Sequence, residues 1–209
     1  MSAGLTLMQW LSPAFPVGAF AYSHGLEQVI ADGTIADADG LRAWLCALVT
    51  QGSARADAVL LAAAYRADNT ATVDATARAF AASAERLQES DLQGAAVCDT
   101  ARAVWGLDLH GLTYPVAVGA AARAMAIPLD QTLPLYLHGF ASNLVSVAQR
   151  AMPLGQTDGQ KVLAALSPAS EDTAAHASTA TLDDLASASF AADIAAMRHE
   201  TLQPRIFRT

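Results

Sequence analysis

The sequence predicts an all-α protein, a single-domain bundle of roughly eight to ten helices spanning residues 1 to 209. Apolar residues recur every three or four positions along most of the chain, which is typical of amphipathic helices. Alternating runs of β-branched residues, typical of strands, are absent. Alanine, the best helix former, supplies about a quarter of the residues. No charged or Pro/Gly-rich boundary divides the chain, so we expect one domain.

Four segments carry the helical spacing, and they begin near residues 41, 73, 133 and 182. The seam that begins at 73 runs unbroken to Leu87. Thr132 is placed to cap the third helix, with Pro134 in its first turn. Thr181 and Asp184 have the spacing of a capping box, which predicts a last helix beginning near residue 182.

Three segments lack this spacing. Residues 12 to 25 hold two prolines and two glycines and predict a loop. Residues 167 to 180 are rich in Ser, Thr and Ala, contain Pro168, and predict a mobile loop. Residues 203 to 209 form a C-terminal tail with two arginines and two large apolar side chains on an otherwise acidic chain. Such a tail is suited to ordering itself in the groove of a partner protein.

The charge pattern argues against nucleic-acid binding. The net charge is −8, eleven of the twelve Lys and Arg residues are arginines, and they form no basic cluster. Apolar residues make up 53% of the chain, charged residues 15%, and the mean hydropathy is +0.28. This composition indicates large buried interfaces with other proteins.

The sequence also predicts a soluble, cytoplasmic protein. The first four residues lack the positive charge of a signal peptide, and the longest apolar run, 114 to 129, is interrupted by Arg123. Cys46 and Cys98 are far apart and lie in apolar helical stretches, which favours buried free thiols over a disulfide or metal site.

No catalytic constellation is evident. The only lysine, Lys161, does not lie in a phosphate-binding loop. The run Ala21-Tyr22-Ser23-His24-Gly25 resembles a nucleophile elbow, but that motif requires a preceding strand, and none is predicted. We therefore expect Ser23 to cap the following helix, and we expect no enzymatic activity and no cofactor.

Metal binding has weak support from the residue pattern. None of the five histidines is three or four residues from another His or Cys. His24 and Glu27 could offer two ligands from one helix face, whereas a stable site needs three or four. A metal shared between two protomers remains open.

Three segments are more specific than packing alone requires. The first, residues 12 to 27, carries Phe15, Phe20 and Tyr22, which must pack against the core or a partner. The second, residues 150 to 160, offers Thr157 and Gln160 as a capping box. A simple turn between helices explains neither Gln156 nor Asp158. The third segment is the tail.

These segments, in this order and near these spacings, resemble the three motifs of the urease accessory protein F family. The resemblance extends from about residue 7 to residue 209. The matching motif residues, apart from the tail, are Phe15, Pro16, Gly18, Phe20, Tyr22, Ser23, Gly25, Glu27, Arg150, Gly155, Gln156, Asp158, Gly159 and Gln160. In the tail they are Arg205, Ile206, Phe207 and Arg208.

The resemblance implies an all-α homodimer that bridges two other accessory proteins, one called D or H and a GTPase called G. Their assembly inserts nickel into apo-urease. We hypothesise that the tail, with Arg205, Phe207 and Arg208, binds the D/H protein. We expect the other motif residues either to form the motif core or to contact the GTPase, with Tyr22, Ser23 and Glu27 at or near that surface. Two alternatives are a direct nickel-binding chaperone and an arginine-finger activator of the GTPase that uses Arg150.

Overall fold

The computed structural model describes residues 2 to 208, so Met1 of the predicted domain and Thr209 of the predicted tail lie outside the described residues. Within them, the chain forms ten α-helices, two short 3-10 helices and no strand. The predicted fold class is therefore confirmed. The α-helices are α1 (Ala3–Trp10), α2 (Leu26–Ala31), α3 (Ala38–Gln51), α4 (Ser53–Arg66), α5 (Ala71–Phe80), α6 (Ala84–Trp105), α7 (Tyr114–Ala124), α8 (Leu129–Ala151), α9 (Gln156–Thr179) and α10 (Phe190–His199).

Two apolar clusters form most of the core, and α8 contributes to both. The first cluster lies around α1, α4, α7 and the first half of α8. The second lies around α2, α3, α9, α10 and the second half of α8. Alanine and glycine allow close helix packing, since a Cβ on Gly119 of α7 would lie 2.3 Å from the carbonyl oxygen of Leu61 in α4.

Residues 38 to 66, which form α3 and α4, are the one stretch among residues 2 to 208 that is apolar and long enough to cross a membrane. Most of this stretch is buried in the core. The buried set includes Leu41, Leu45 and Leu48, as the helical spacing predicted. The apolar side chains of α3 and α4 therefore form part of the core.

The structure differs from the predicted mobile loop at 167 to 180, because α9 continues through this segment to Thr179. Pro168 lies inside the helix. Hydroxyl groups along the segment bond to helix carbonyls, as Ser167 does to Leu163 and Ser178 does to Ala175. Buried Thr173, together with buried alanines, packs this part of the helix onto the core. Tertiary packing therefore outweighs the composition.

Several predicted helix boundaries are wrong. The seam from 73 to 87 is broken between α5 and α6, where the Ser83 hydroxyl caps α6 by accepting a hydrogen bond from the Arg86 N–H at 3.2 Å. Helix α8 begins at Leu129, so the Thr132 hydroxyl donates to the Pro128 carbonyl and Pro134 lies inside the helix. Both signals that predicted the start of α8 are therefore interior residues.

The capping box of Thr181 and Asp184 exists, but it serves the 3-10 helix Leu182–Asp184. The chain then crosses α3, where the Ser189 hydroxyl donates to the Ala47 carbonyl, and α10 begins at residue 190. The apolar residues predicted for the buried face of this helix lie largely in solvent: Phe190 is 69% exposed and Met197 is 51% exposed.

Residues 12 to 25 connect α1 and α2 and contain only the 3-10 helix Ala19–Ala21. Gly25 precedes α2 with a φ of +76°, and a Cβ there would lie 2.6 Å from the backbone nitrogen of Ala196 in α10. Only glycine allows both that backbone conformation and the contact between this loop and α10. The tail, residues 203 to 208, has no helix and returns to this loop.

Candidate partner-binding site

The N-terminal segment and the C-terminal tail lie against each other through main-chain hydrogen bonds. The Arg208 N–H donates to the Ala21 carbonyl at 2.8 Å. The N–H groups of Ile206 and Phe207 donate to the two carboxylate oxygens of Glu27, at 2.6 and 2.9 Å. Two of the three segments singled out in the sequence therefore form one site.

Four polar residues hold this contact, and we call Glu27, Glu85, His199 and Arg205 the tail cluster. His199 is fully buried, with Nε2 lying 2.9 Å from Glu27 Oε2 and Nδ1 lying 2.8 Å from Glu85 Oε2. Arg205 donates to the other oxygen of Glu85 at 2.5 Å. The cluster thus links α2, α6, α10 and the tail. Each carboxylate in it lies within hydrogen-bond distance of the His199 ring, and buried carboxylates require such partners.

Phe207 anchors the tail with its side chain. It is 3% exposed and belongs to the apolar cluster formed by α2, α3, α8, α9 and α10. The Arg150 guanidinium lies 4.5 Å from the centre of the Phe207 ring, a cation–π contact, and donates to the Phe20 carbonyl at 2.7 Å. Partial burial lowers the pKa of Arg150 from its ordinary value. Arg150 therefore joins the tail to the N-terminal segment.

A second polar group lies beneath the N-terminal segment, and we call His24, Asp57, Arg86 and Glu89 the core cluster. His24 Nε2 lies 2.9 Å from one oxygen of Glu89, and Arg86 donates to the other at 2.5 Å. Arg86 also lies 3.6 Å from Asp57, which accepts a hydrogen bond from the Tyr136 hydroxyl at 3.1 Å. These contacts attach the loop to α4, α6 and α8.

Charge and burial shift the pKa values of the two carboxylates of the core cluster in opposite directions. Burial raises the pKa of Glu89, but the charges of Arg86 and His24 outweigh it and hold that pKa at about 2. Burial raises the pKa of Asp57 above its ordinary value, and Arg86 and His24 offset this only in part. Burial, reinforced by the charge of Asp57, likewise raises the pKa of Tyr136. Glu89 is therefore the firmly ionised carboxylate of the pair.

Two cavities adjoin the core cluster, with volumes of about 160 and 450 Å³. Trp10, Phe20 and Phe140 line the smaller one. The exposed apolar face of α10 lines the larger one. His24, Asp57 and Arg86 contribute to the walls of both, so the core cluster lies between them. The sequence pattern gave no sign of either cavity.

Most of the N-terminal motif is buried, contrary to the expected surface position of Tyr22, Ser23 and Glu27. These three side chains are 4%, 0% and 6% exposed. Tyr22 packs in the protein interior, where burial raises its pKa. Phe15 is also buried, which agrees with packing against the core. The motif residues at the surface are Pro16 and Phe20, and Phe20 is 61% exposed.

The nucleophile-elbow resemblance has no structural counterpart, since no strand precedes Ser23 in the described chain. The expected capping role of Ser23 is wrong, because Gly25 is the N-cap residue of α2. The Ser23 hydroxyl instead accepts a hydrogen bond from the Glu27 N–H at 3.4 Å, from two residues before the cap. His24 and Glu27 have different partners, Glu89 and His199. Among residues 2 to 208, no three His, Cys, Asp or Glu side chains group as a metal site.

The residues of the middle motif, 150 to 160, lie in two different parts of the fold. Arg150 lies beside the tail, whereas the other motif residues form the start of α9, with Gly155 as its N-cap residue. The predicted capping box is wrong, because α9 begins at Gln156 and Thr157 is already helical. Gln156 accepts a hydrogen bond from Gln149 at 3.2 Å.

Beyond Gln156, the start of α9 has one buried glycine and an exposed polar surface. Gly159 is buried against α8, where its Cβ would lie 2.5 Å from Gln149 Nε2. Asp158 lies 2.8 Å from Lys161 and, like Gln160, is exposed. This part of the motif therefore combines a packing position with polar side chains in solvent.

Sequence reasoning missed the central role of His199 and Glu85. His199 lies 172 positions after Glu27, so no helical spacing or motif connects them. The one available signal was Glu27 itself, a carboxylate followed by the apolar residues of a short helix. A buried carboxylate requires a cationic or N–H partner from elsewhere in the chain.

Comparison with known proteins gives the family. The UreF family model matches residues 35 to 167, more than half of the chain. The chain belongs to the UreF family. It is 54% identical to the urease accessory protein UreF of Roseobacter denitrificans, over 99% of this chain and 94% of that one. It is 59% identical to the UreF of a Ruegeria species, over 99% and 98% of the two chains.

Proposed function

We propose that this chain is a cytoplasmic urease accessory protein that joins the D/H accessory protein to the accessory GTPase, as a homodimer, during nickel insertion into apo-urease. One observation carries the proposal: on a chain of this family, the tail and the N-terminal motif form a single surface. The two proposed partners would therefore meet on adjoining parts of one site, and the chain would act by binding them.

The exposed tail side chains would contact the D/H protein. Ile206 is 70% exposed although it is apolar, while its N–H is held by Glu27. Phe207 is buried in the chain's own core, so its part in the docked tail is to anchor the segment. Arg205 and Arg208 flank the exposed Ile206 with positive charge. An apolar side chain rimmed by arginines suits an interface with a groove of complementary charge.

The neighbouring surface would contact the GTPase. Phe20 is its exposed apolar side chain, and Arg150 fixes the backbone of Phe20 by donating a hydrogen bond to the Phe20 carbonyl. The buried motif residues would act indirectly by shaping this loop. The exposed side chains of Gln156, Asp158 and Gln160 at the start of α9 are further candidate contacts.

Co-purification of the full chain with the D/H protein tests the tail. Ile206→Asp should weaken recovery of the partner by tenfold or more, because a charge would replace an apolar contact. Val104→Asp is the matched control, since Val104 is also an exposed apolar residue, at 58%, on α6. Deletion of residues 203 to 209 should abolish recovery. Full recovery after this deletion would contradict the proposed role of the tail.

Recruitment of the GTPase to the preformed complex tests the N-terminal surface. Phe20→Ala should reduce recruitment while leaving the D/H protein bound. Met197→Ala, an exposed apolar residue on α10, is the control. Urease activation in the presence of all accessory proteins should fall with the same variants. Normal GTPase recruitment by Phe20→Ala and by Gln156→Ala together would exclude these surfaces.

A further inference from the structure

We propose that the tail cluster is a proton-dependent latch: residues 205 to 208 dock when the His199 ring carries two protons, and they are released as the pH rises. The inference concerns the tail of this chain alone and does not depend on which partner the tail binds.

The proton count follows from the contacts of His199. Both ring nitrogens lie within 2.9 Å of a carboxylate oxygen, one of Glu27 and one of Glu85. An ionised carboxylate only accepts hydrogen bonds, and a neutral imidazole has only one N–H. Each of the two contacts needs one proton. The ring must therefore be the doubly protonated imidazolium, or one of the two carboxylates must carry the second proton.

The other contacts place those protons on the ring. The oxygens of Glu27 accept the N–H groups of Ile206 and Phe207, and one oxygen of Glu85 accepts from Arg205. Both carboxylates are therefore acceptors on every side. With an imidazolium, the tail cluster holds two negative and two positive charges and is neutral. Without it, a net negative charge remains around a fully buried ring.

Loss of the proton acts directly on the tail. Glu27 Oε2 accepts from both His199 Nε2 and the Phe207 N–H. A neutral ring in either tautomer turns a lone pair toward Glu27 or Glu85, which are the residues that hold the tail. The docked tail thus binds a proton that the released tail does not require, and docking must weaken as the pH rises.

The charged groups around the tail cluster have partners of their own, so the contacts of His199 carry the argument. From α6, Arg86 and Glu89 are engaged in the core cluster, as is His24 of the loop before α2. From the tail, Arg205 and Arg208 stay charged at every relevant pH. On α10 and just beyond it, Arg198 is exposed and Glu200 accepts the Ala84 N–H.

Amide hydrogen exchange of the full chain tests the latch. As the pH is raised from about 6 to 9, and after correction for intrinsic exchange, protection of the Ile206 and Phe207 amides should fall by roughly tenfold or more. The amide of Leu137, in the core of α8, should not change. The ¹⁵N shifts of His199 should show both nitrogens protonated while the tail is protected. Constant tail protection, or a neutral tautomer in the docked state, would overturn the proposal.

Glu85→Gln separates the latch from a structural role of the cluster. A glutamine amide donates an N–H to the lone pair of a neutral His199, so docking should survive at high pH and lose its pH dependence. His199→Gln should give weak tail protection at every pH. His138→Gln, on the exposed side of α8, should keep the wild-type response. An unchanged pH response in Glu85→Gln would refute the latch even if His199→Gln failed to fold.

Discussion

The N-terminal segment and the start of α9 look equally specific in the sequence, yet the structure treats them differently. Residues 15 to 27 are mostly buried and joined to the tail through Glu27. Residues 156 to 160 are mostly exposed, and their hydrogen bonds and ion pair are made within the end of α8 and the start of α9. A specific pattern can therefore reflect a folding requirement or a surface. A motif residue is a better candidate for partner binding where it has no packing role in the fold.

Glu27→Ala gives the largest expected effect. It removes three hydrogen-bond partners and leaves His199 buried without one carboxylate. We expect unfolding free energy to fall by about 3 to 5 kcal/mol, as for other broken buried ion pairs, and the tail to become mobile. Chemical denaturation and hydrogen exchange measure both. If Glu27→Ala were stable and kept its tail docked, the N-terminal segment would be no more important to the fold than the start of α9.

Lowering the pH should have the next largest effect on stability. The pKa of Glu89 lies at about 2 in the fold against an ordinary value of 4.5, so its contribution is present above pH 4.5 and is lost as the pH falls toward 2. That contribution is roughly 3 kcal/mol. Asp57, whose pKa is raised, acts in the opposite direction. Glu89→Gln should therefore flatten the loss of stability over this range in denaturation curves. If Glu89→Gln lost stability with falling pH as steeply as the wild type, the low pKa given to Glu89 would be contradicted.

A pair of glycine variants sharpens the comparison. Gly25→Ala puts a side chain at a φ of +76° and into the backbone of α10, and should cost about 2 to 3 kcal/mol. Gly159→Ala meets only the side chains of Gln149 and Val145, and it gains helix propensity. Its net effect should stay within about 1 kcal/mol. If thermal unfolding showed equal losses of stability for the two variants, tight packing would constrain both segments to the same degree.

Asp158→Asn and Gln156→Ala should change stability least, by under about 0.5 kcal/mol, because both side chains are exposed. Asp158 loses only an exposed ion pair with Lys161. If this surface binds the GTPase, these variants should reduce recruitment in pull-down assays at unchanged stability. Normal recruitment by both variants would leave the N-terminal surface around Phe20 as the remaining candidate for GTPase binding.

Patterns local in sequence predicted much of the fold. The buried face of α3, with Leu41, Leu45 and Leu48, follows from helical spacing. The free thiols of Cys46 and Cys98 were predicted from their apolar surroundings, although Cys98 is buried and Cys46 is only partly buried. Predictions failed where tertiary contacts decide the outcome. Pro168 and its Ser/Thr-rich neighbours read as a loop, but packing on the core keeps them helical.

The candidate site was predicted in its parts but not in its assembly. The N-terminal motif, Arg150 and the tail were each identified, and the structure brings them together. Their connection depends on Glu27, Glu85 and His199, which are distant in sequence and come from three helices. No spacing rule reaches across that distance, so only the folded chain could show that the tail docks on its own motif.

The anchoring carboxylate of Glu27 leaves the ribosome long before the residue that completes its coordination, since Phe207 follows it by 180 positions. At usual elongation rates of about 5 to 20 residues per second, this interval lasts roughly 10 to 40 seconds. A nascent chain therefore has an unfinished site until residues 205 to 207 have been synthesised. Any product truncated before these residues would leave Glu27 without its main-chain partners from the tail.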